Sequence, residues 1–583
     1  MTIYQNLKLP DLIALVNRIV AIEKIKQTLK RQGIYFSINS IVNDGYCIRI
    51  PLNIEQRNFI LDFIIDEYFP FSQIKVILKN FDQFLKWPHF ERDGTLCLDE
   101  NFTINPFKPE YMFIIAYEQS VKLIKQCLHN TLESDFEDEF LAYWTRYIES
   151  QGTVLSYYLV SLPKKEIQSL YCCGNIKNQL VEYYISADEN QLNDYCFRQN
   201  IKSRKEKNIL FVVLDHPPRP DNYGNLLNLI LKKIKSKQNN FNYFKQYIKK
   251  GTFKVVCAFK SNNGYMFVGL TINSPLINPK KFKRSTFEKY RNLFTLVNNS
   301  NFKIKKAYHN WVYGRDQDIN QDLLMGKRVA IIGCGSIGSF VLKNLVMSGV
   351  SNITVIDPDI LDFANVSRNC IGTNFVGCFK TKAIKYIINK EHPLAEILDK
   401  AQTCQTFFSN NNMEEYDLII CCTADYASEM FLMKQLIDSK KNTPIIFAFA
   451  ETGAVVGHCI SILSPSESCF QCGFNDATAQ FQFLVCQNKK DSLKKEPGCG
   501  GYYNPYGEIE INYINLMTSR IALDILLGKE KNNSHHLWIS DRCQLFDLTE
   551  FGKKIITSYS YNSFIKLPWL SNKNCYYRDK HGI

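Results

Sequence analysis

Apolar residues recur every third or fourth position over residues 11–30 and again over 111–129, the spacing of helices that bury one face. Between them, residues 35–51 and 71–78 read as strands, the second entered through Phe69-Pro70, and residues 88–108 keep no regular period. From 151 to 300 strand-like runs at 154–162, 209–214, 253–259 and 265–272 alternate with Lys- and Asn-rich stretches. A loop is marked there by His216-Pro217-Pro218-Arg219-Pro220. Beyond 301, strands at 328–332, 353–356, 418–422 and 445–450 are separated by helical runs at 339–347, 380–389 and 428–438. Strands joined by helices of that length predict a parallel sheet covered on both faces. The expected fold class is α/β, with an α+β domain over 1–150, a mixed connecting domain over 151–300 and a doubly wound domain over 301–583.

Composition supports a globular reading. A chain of 583 residues exceeds a single core, and 45% hydrophobic with 22% charged residues is ordinary for packed domains. The first residues lack a basic segment followed by a continuous apolar run, so no signal peptide is expected. The apolar stretch 444–463 is interrupted by Glu451, Gly453, Gly457 and His458; it reads as two buried strands, and no membrane span is expected. The 20 cysteines have no scaffold-like spacing, which predicts reduced thiols in a cytoplasmic protein. A net charge of +13 comes with no nucleic-acid-binding motif and reads as a Lys-rich solvated surface, with no direct nucleic-acid partner expected.

Specific chemistry begins at the strand that runs into Gly333, Gly335 and Gly338. This G-x-G-x-x-G turn opens a helix, so phosphate can approach the backbone closely near a helix N-terminus. The next strand ends in Asp357-Pro358-Asp359, where an acid suits ribose hydroxyls. Asn365, Arg368 and Lys380 then place an amide and two cations beyond the nucleotide. Hydride transfer has no need of them, whereas attack of a carboxylate on an α-phosphate builds charge that cations and Mg²⁺ stabilise. A later strand ends in Cys421-Cys422-Thr423-Ala424-Asp425, and Asp425 can offer a hard oxygen to Mg²⁺.

This series resembles the ThiF/MoeB and ubiquitin-activating adenylation family. The resemblance implies that Asp357 holds the ribose of ATP, that Asn365, Arg368 and Lys380 contact phosphates, and that Asp425 binds Mg²⁺. The family often carries the acid one residue earlier, at the place of Ala424. Gly314-Arg315-Asp316-Gln317 resembles the family's arginine segment, which implies that Arg315 reaches the partner's ATP in a homodimer.

A thioester enzyme also needs an accessible thiol. Cys499, in Glu496-Pro497-Gly498-Cys499-Gly500-Gly501, sits in a loop-forming stretch where related enzymes place a crossover loop, and is the expected activating nucleophile, with Cys486 next in line. Cys469-Phe470-Gln471-Cys472 is a single C-x-x-C pair; four ligands are normal for structural zinc and no second pair is found, so zinc is not expected.

Near the N-terminus, Trp87-Pro88-His89-Phe90 precedes Gly94-Thr95-Leu96-Cys97-Leu98. This resembles ubiquitin-conjugating enzymes, with Cys97 as the catalytic cysteine and His89 near the place of the family's turn asparagine. The order conjugating-like, connecting, adenylating resembles the fused activating–conjugating proteins of bacterial CBASS antiphage operons. Phe136 to Phe140, Tyr143, Trp144 and Trp311 extend that match. The resemblance covers both ends of the chain, and the middle matches only in position. It implies that the carried protein is the operon's cyclic-nucleotide synthase, taken by its C-terminal tail. Three other readings remain: a sulfur-carrier adenylyltransferase, a nicotinamide oxidoreductase, and a scaffold that binds nucleotide without turnover.

Overall fold

Strands rich in Ile, Val and Phe and helices with one apolar face organise the chain throughout. The computed structural model describes residues 9–41, 45–82, 86–98, 105–132, 134–177, 180–201, 205–248, 251–261, 264–275, 277–278, 280–297, 300–439, 442–487, 494–495, 502–503 and 508–577. It divides into two compact units. One comprises Met1–Leu155, Glu166–Gln168 and Ile209–Lys303; the other comprises Ser156–Lys165, Ser169–Asn208 and Ile304–Ile583. Residues 151–300 are thus shared between the two units.

In the first unit, helix α1 (Leu9–Arg31) precedes an antiparallel meander of β1 (Ser37–Ser40), β2 (Tyr46–Ile54), β3 (Arg57–Ile65) and β4 (Lys75–Leu78). Ile22, Ile25 and Leu29 of α1 pack with Ile48, Leu61 and Phe63 of the sheet and with Phe113 and Ile124 of α2 (Pro109–Leu128). Helices α3 (Asp135–Asp138) and α4 (Phe140–Glu149) follow. Their apolar side chains Phe136, Phe140, Trp144 and Ile148 join a second core, built on the strands Lys205–Leu214, Thr252–Ser261 and Gly264–Asn273. Phe140 meets Phe259 edge to face at 5.2 Å, and Trp144 meets Tyr223 at 5.3 Å. Such aromatic pairs favour one orientation of the helix over others. Residues 209–273 therefore seat α4.

The second unit is dominated by an eight-stranded sheet. Its order is Glu396–Lys400, Asn352–Ile356, Arg328–Ile332, Leu418–Cys421, Ile445–Ala450, Val456–Ile462, Ser534–Ile539 and Ser563–Pro568. The first five strands run parallel and the last three join antiparallel. Alternate residues enter opposite cores. Val329, Ile331 and Ile353 face one with the helices Gly338–Met347, Lys380–Glu391 and Glu508–Leu526, while Ala330, Ile332 and Ile419 face the other with Tyr426–Asp438. This is the doubly covered parallel sheet expected from the uninterrupted apolar strands. The stretch 444–463 forms two buried strands, as read. Strands Leu155–Leu159, Ile167–Lys177 and Leu180–Ser186 belong largely to this unit, and the helix Glu189–Arg198 after them ties to it: Arg198 Nη1 donates to the Pro393 carbonyl at 2.9 Å.

The sequence pattern missed Arg57–Ile65, Ile167–Lys177 and Leu180–Ser186 as strands. Among the described residues no helix is long and apolar enough to cross a membrane.

Candidate functional site

The glycine turn is built by three different constraints. Gly333 has φ +89°, a left-handed conformation that favours glycine, and Gly338 lies so near it that a Cβ would meet the Gly333 carbonyl oxygen at 1.8 Å. At Gly335 a Cβ would meet nothing within 4 Å. The open space before Gly335 is a cleft of 310 Å³, lined by Gly335, Ser336, Ile337, Asn365, Arg368, Asn369, Lys380, Cys422, Thr423, Ala424, Ala448, Phe449, Ala450, Glu451 and Ile511. Asn365, Arg368, Asn369 and Lys380 make part of the lining polar and cationic, while Ile337, Ala448, Phe449, Ala450 and Ile511 make part of it apolar.

Asp357 is buried at the strand end. Its Oδ2 accepts the Cys334 N–H at 2.6 Å and its Oδ1 the Asp359 N–H at 2.7 Å, so the carboxylate holds the turn in place. Burial pushes its carboxyl above the usual range, against those two hydrogen bonds. Lys380 Nζ pairs with Asp359 Oδ2 at 2.8 Å while its side chain lines the cleft. Asn365 lines the cleft and accepts the Asp362 N–H through Oδ1 at 3.1 Å, which fixes the short helix Phe363–Val366 that precedes Arg368. Gly333, Gly335, Gly338, Asp357, Asn365, Arg368 and Lys380 are thus gathered around one turn and its cleft.

Asp425 and Arg315 sit differently. Thr423 and Ala424 line the cleft, but Asp425 is the N-cap of Tyr426–Asp438, where its Oδ2 accepts the Ser428 N–H at 3.0 Å. That hydrogen bonding holds its carboxyl below the usual range. Arg315 ends the helix His309–Gly314 with φ 52°, and its guanidinium lies 5.2 Å from the Trp311 ring; it does not line the cleft.

In the first unit, residues 88–98 fold back on themselves. Glu91 N–H donates to the Thr95 carbonyl at 2.8 Å, Cys97 N–H donates to the His89 carbonyl at 2.8 Å, and Phe90 bridges Leu96. Gly94 has φ +83°, and a Cβ there would strike the Leu78 carbonyl at 2.3 Å, so the reversal needs glycine. Of the described cysteines only Cys97 and Cys378 are exposed. Cys97 Sγ lies 4.0 Å from Glu91 Oε1, and Glu91 is paired with Arg146 of α4. Burial, then the charges of Glu91 and Glu139, push the Cys97 thiol up, and Arg146 draws it partly back.

His89 is clamped by α3 and the start of α4. Its Nδ1 lies 2.7 Å from Glu139 Oε1 and its Nε2 lies 2.9 Å from Asp135 Oδ2. The Glu139 hydrogen bond, with Asp135 beside it, raises its pKa from 6.5 to about 9, so the ring is an imidazolium with both N–H groups engaged.

The ThiF family matches residues 312–550, and the family described as prokaryotic E2 family B matches residues 33–152. The chain joins a ThiF domain to an E2-like domain. An ATP-dependent ubiquitin transferase-like protein Cap2 of Enterobacter hormaechei subsp. hoffmannii is 33% identical over 18% of this chain and 17% of its own length. A second Cap2, of Pseudomonas aeruginosa, is 23% identical over 32% of this chain and 34% of its own length. The matched stretches thus span 17% and 34% of these curated relatives. Among solved structures, E. coli MccB with MccA-N7isoASN aligns at 16% identity and TM-score 0.33, over 44% of this chain and 68% of that chain.

Within the ThiF domain the structure adds Glu451, which the sequence reading passed over. This buried carboxylate lines the cleft and accepts the N–H groups of Val485 (Oε1) and Cys486 (Oε2), both at 2.7 Å, while His458 Nε2 sits 2.7 Å from Oε1. Cys486, held as the second nucleophile candidate, is buried with its sulfur 3.2 Å from Cys543 Sγ, which leaves it no access to an acyl group. Cys499 lies outside the described residues. The Cys469–Cys472 pair is not isolated: Cys575 Sγ lies 3.5 Å from Cys469 Sγ, and the three sulfurs group within 4.8 Å. The signal for it was Asn572-x-x-Cys575, a second pair with its first cysteine replaced.

Proposed function

We propose that the protein uses ATP to adenylate the C-terminal carboxylate of another protein, captures it as a thioester on Cys499, and relays it to Cys97 for transfer to an amine. The observation that carries the reading is the cleft before Gly335, faced by Arg368 and Lys380, in the same chain as the exposed Cys97 of an E2-like domain. A nucleotide fits what is there. Gly335 leaves room for close approach of phosphates, and two cations and an amide line the same cleft. The apolar lining residues Ala448, Phe449, Ala450 and Ile511 suit the tail that brings the carboxylate.

In this reading residues 1–150 conjugate, 301–583 activate and 151–300 connect them. The carried protein is a CBASS cyclic-nucleotide synthase, the assembly is a cytoplasmic homodimer with Arg315 serving the partner's site, and the work is antiphage defence. The names of two relatives, ATP-dependent ubiquitin transferase-like protein Cap2, support the transferase part of this reading. Asp425 is the proposed Mg²⁺ ligand.

ATP–pyrophosphate exchange with the synthase's C-terminal peptide tests the proposal. Arg368→Ala should lose about 100-fold in exchange. Asp425→Asn keeps an N-cap of equal quality and removes the charge, so a similar loss there supports the metal role apart from the helix start. Wild-type protein that binds ATP and never exchanges would favour the scaffold.

A further inference from the structure

The E2-like domain has spent the histidine that stands near the expected turn asparagine. Both ring nitrogens of His89 face carboxylates, Glu139 at 2.7 Å and Asp135 at 2.9 Å, so neither N–H can turn to a thioester oxygen. The fold supplies other groups at the sulfur. The reversal at 91–95 sets Glu91 beside Cys97 with 4.0 Å between Oε1 and Sγ. Helix α4, seated on the second core through Phe140 and Trp144, brings Arg146 onto Glu91, where its charge also acts on the thiol. Glu91 and Arg146 keep about a third to two fifths of their side-chain surface exposed, so an incoming amine can reach them. Among the described residues Glu139 and Tyr143 also act on the thiol, and Glu139 and Asp135 both hold His89.

We propose that Glu91 is the group that receives the proton of the acceptor amine at Cys97, and that Arg146 holds Glu91 and stabilises negative charge as the thioester opens. This deepens the conjugating reading above and rests on it. The acceptor arrives as an ammonium. Glu91 takes one of its protons, the nitrogen lone pair forms the C–N bond at the thioester carbonyl, and the carbonyl electrons move to oxygen. When that oxyanion collapses the C–S bond breaks. The nitrogen's second proton passes to the departing sulfur, leaving an amide and the Cys97 thiol, and Glu91 returns its proton to water. A carboxylate beside the sulfur draws cationic amines, so the acceptor class is a primary ammonium such as a lysine side chain.

The test loads Cys97 without ATP. A glycine-terminated peptide thioester of 2-mercaptoethanesulfonate exchanges onto the full-length chain, with Cys97→Ala as the blank, and discharge is followed with free lysine and with hydroxylamine, which is already unprotonated at neutral pH. Glu91→Gln should load normally and slow lysine discharge about 100-fold at pH 7, the defect narrowing as pH approaches lysine's value of about 10.4. Its hydroxylamine discharge should be unchanged. Arg146→Gln should slow both nucleophiles, and Arg146→Lys should restore part of the rate. Wild-type lysine discharge at pH 7 by Glu91→Gln would overturn the assignment, as would equal losses for both nucleophiles at every pH. A wild-type thioester inert to lysine would overturn the conjugating reading as well.

Discussion

Lys380 Nζ lies 2.8 Å from Asp359 Oδ2, so the cation that lines the cleft is aimed by the acid two residues after the buried Asp357. A lysine held in this way loses little further freedom when a phosphate arrives. Lys380→Ala should therefore reduce ATP–pyrophosphate exchange about 100-fold while leaving the melting temperature nearly unchanged. Exchange near the wild-type level would remove Lys380 from the site.

The glycines of the turn should separate in experiment. Alanine at Gly338 must displace the Gly333 carbonyl, an overpacking that costs about 1–3 kcal/mol. Alanine at Gly335 meets no neighbour within 4 Å, so it should melt with the wild type and weaken nucleotide binding, because its methyl projects where a phosphate would come. Melting curves and nucleotide titration of the two variants give the comparison; equal melting losses would contradict it.

Much of this was readable in the chain because buried parallel strands are apolar on both faces, as in Val329-Ala330-Ile331-Ile332, and because a glycine turn with cations after it has few other uses. Less legible were features made by distant partners. Glu451 looks in sequence like any strand-end acid; only its burial against Val485 and Cys486 shows its place in the cleft. Cys575 stands 106 residues from Cys469, and Asn572 in the place of its pair's first cysteine hides the C-x-x-C spacing that would have marked it. The strand Arg57–Ile65 begins polar and turns apolar, which hides its period. The division of residues 151–300 between two units depends on long-range packing that no local pattern encodes.

The His89 clamp makes a pH prediction. Its pKa is raised from 6.5 to about 9, so the stabilisation is fully present below 6.5 and is lost as pH rises through 9. With partners whose side chains are still 28–29% exposed, the effect is discounted to about 1 kcal/mol. Thermal melts of the wild type should fall between pH 6.5 and 9 more than those of His89→Gln. Parallel profiles would show that the imidazolium contributes nothing measurable.

The three sulfurs of Cys469, Cys472 and Cys575 bear on the expectation that zinc is absent. Zinc–sulfur bonds of about 2.3 Å in a tetrahedron put sulfurs about 3.8 Å apart. The separations of 3.8 Å and 3.5 Å from Cys469 lie close to that edge. The thiols should bind one zinc per chain, lost in Cys575→Ser with a lower melting temperature. Metal analysis of protein purified without added zinc decides it, and a zinc-free, equally stable wild type would restore the original expectation.

The proposed relay has an order that chemistry imposes. A free carboxylate does not acylate a thiol, so adenylation comes first, and in the proposed relay the first thiol to be acylated is Cys499 of the ThiF domain that holds the cleft. Exchange between thiols is close to neutral in energy, so the second transfer depends on bringing the two together rather than on a driving force. Cys499→Ala should release pyrophosphate and form no thioester anywhere. Cys97→Ala should accumulate a reductant-sensitive adduct at Cys499 and yield no final conjugate, and Cys97→Lys should trap the carried protein as a stable amide. A non-reducing gel with ATP and the synthase reads all three. If Cys499→Ala still charges Cys97 at the wild-type rate, the relay is wrong. Buried Cys486 is then excluded by its packing against Cys543, and Cys378, the exposed cysteine of the ThiF domain among the described residues, becomes the thiol to replace next.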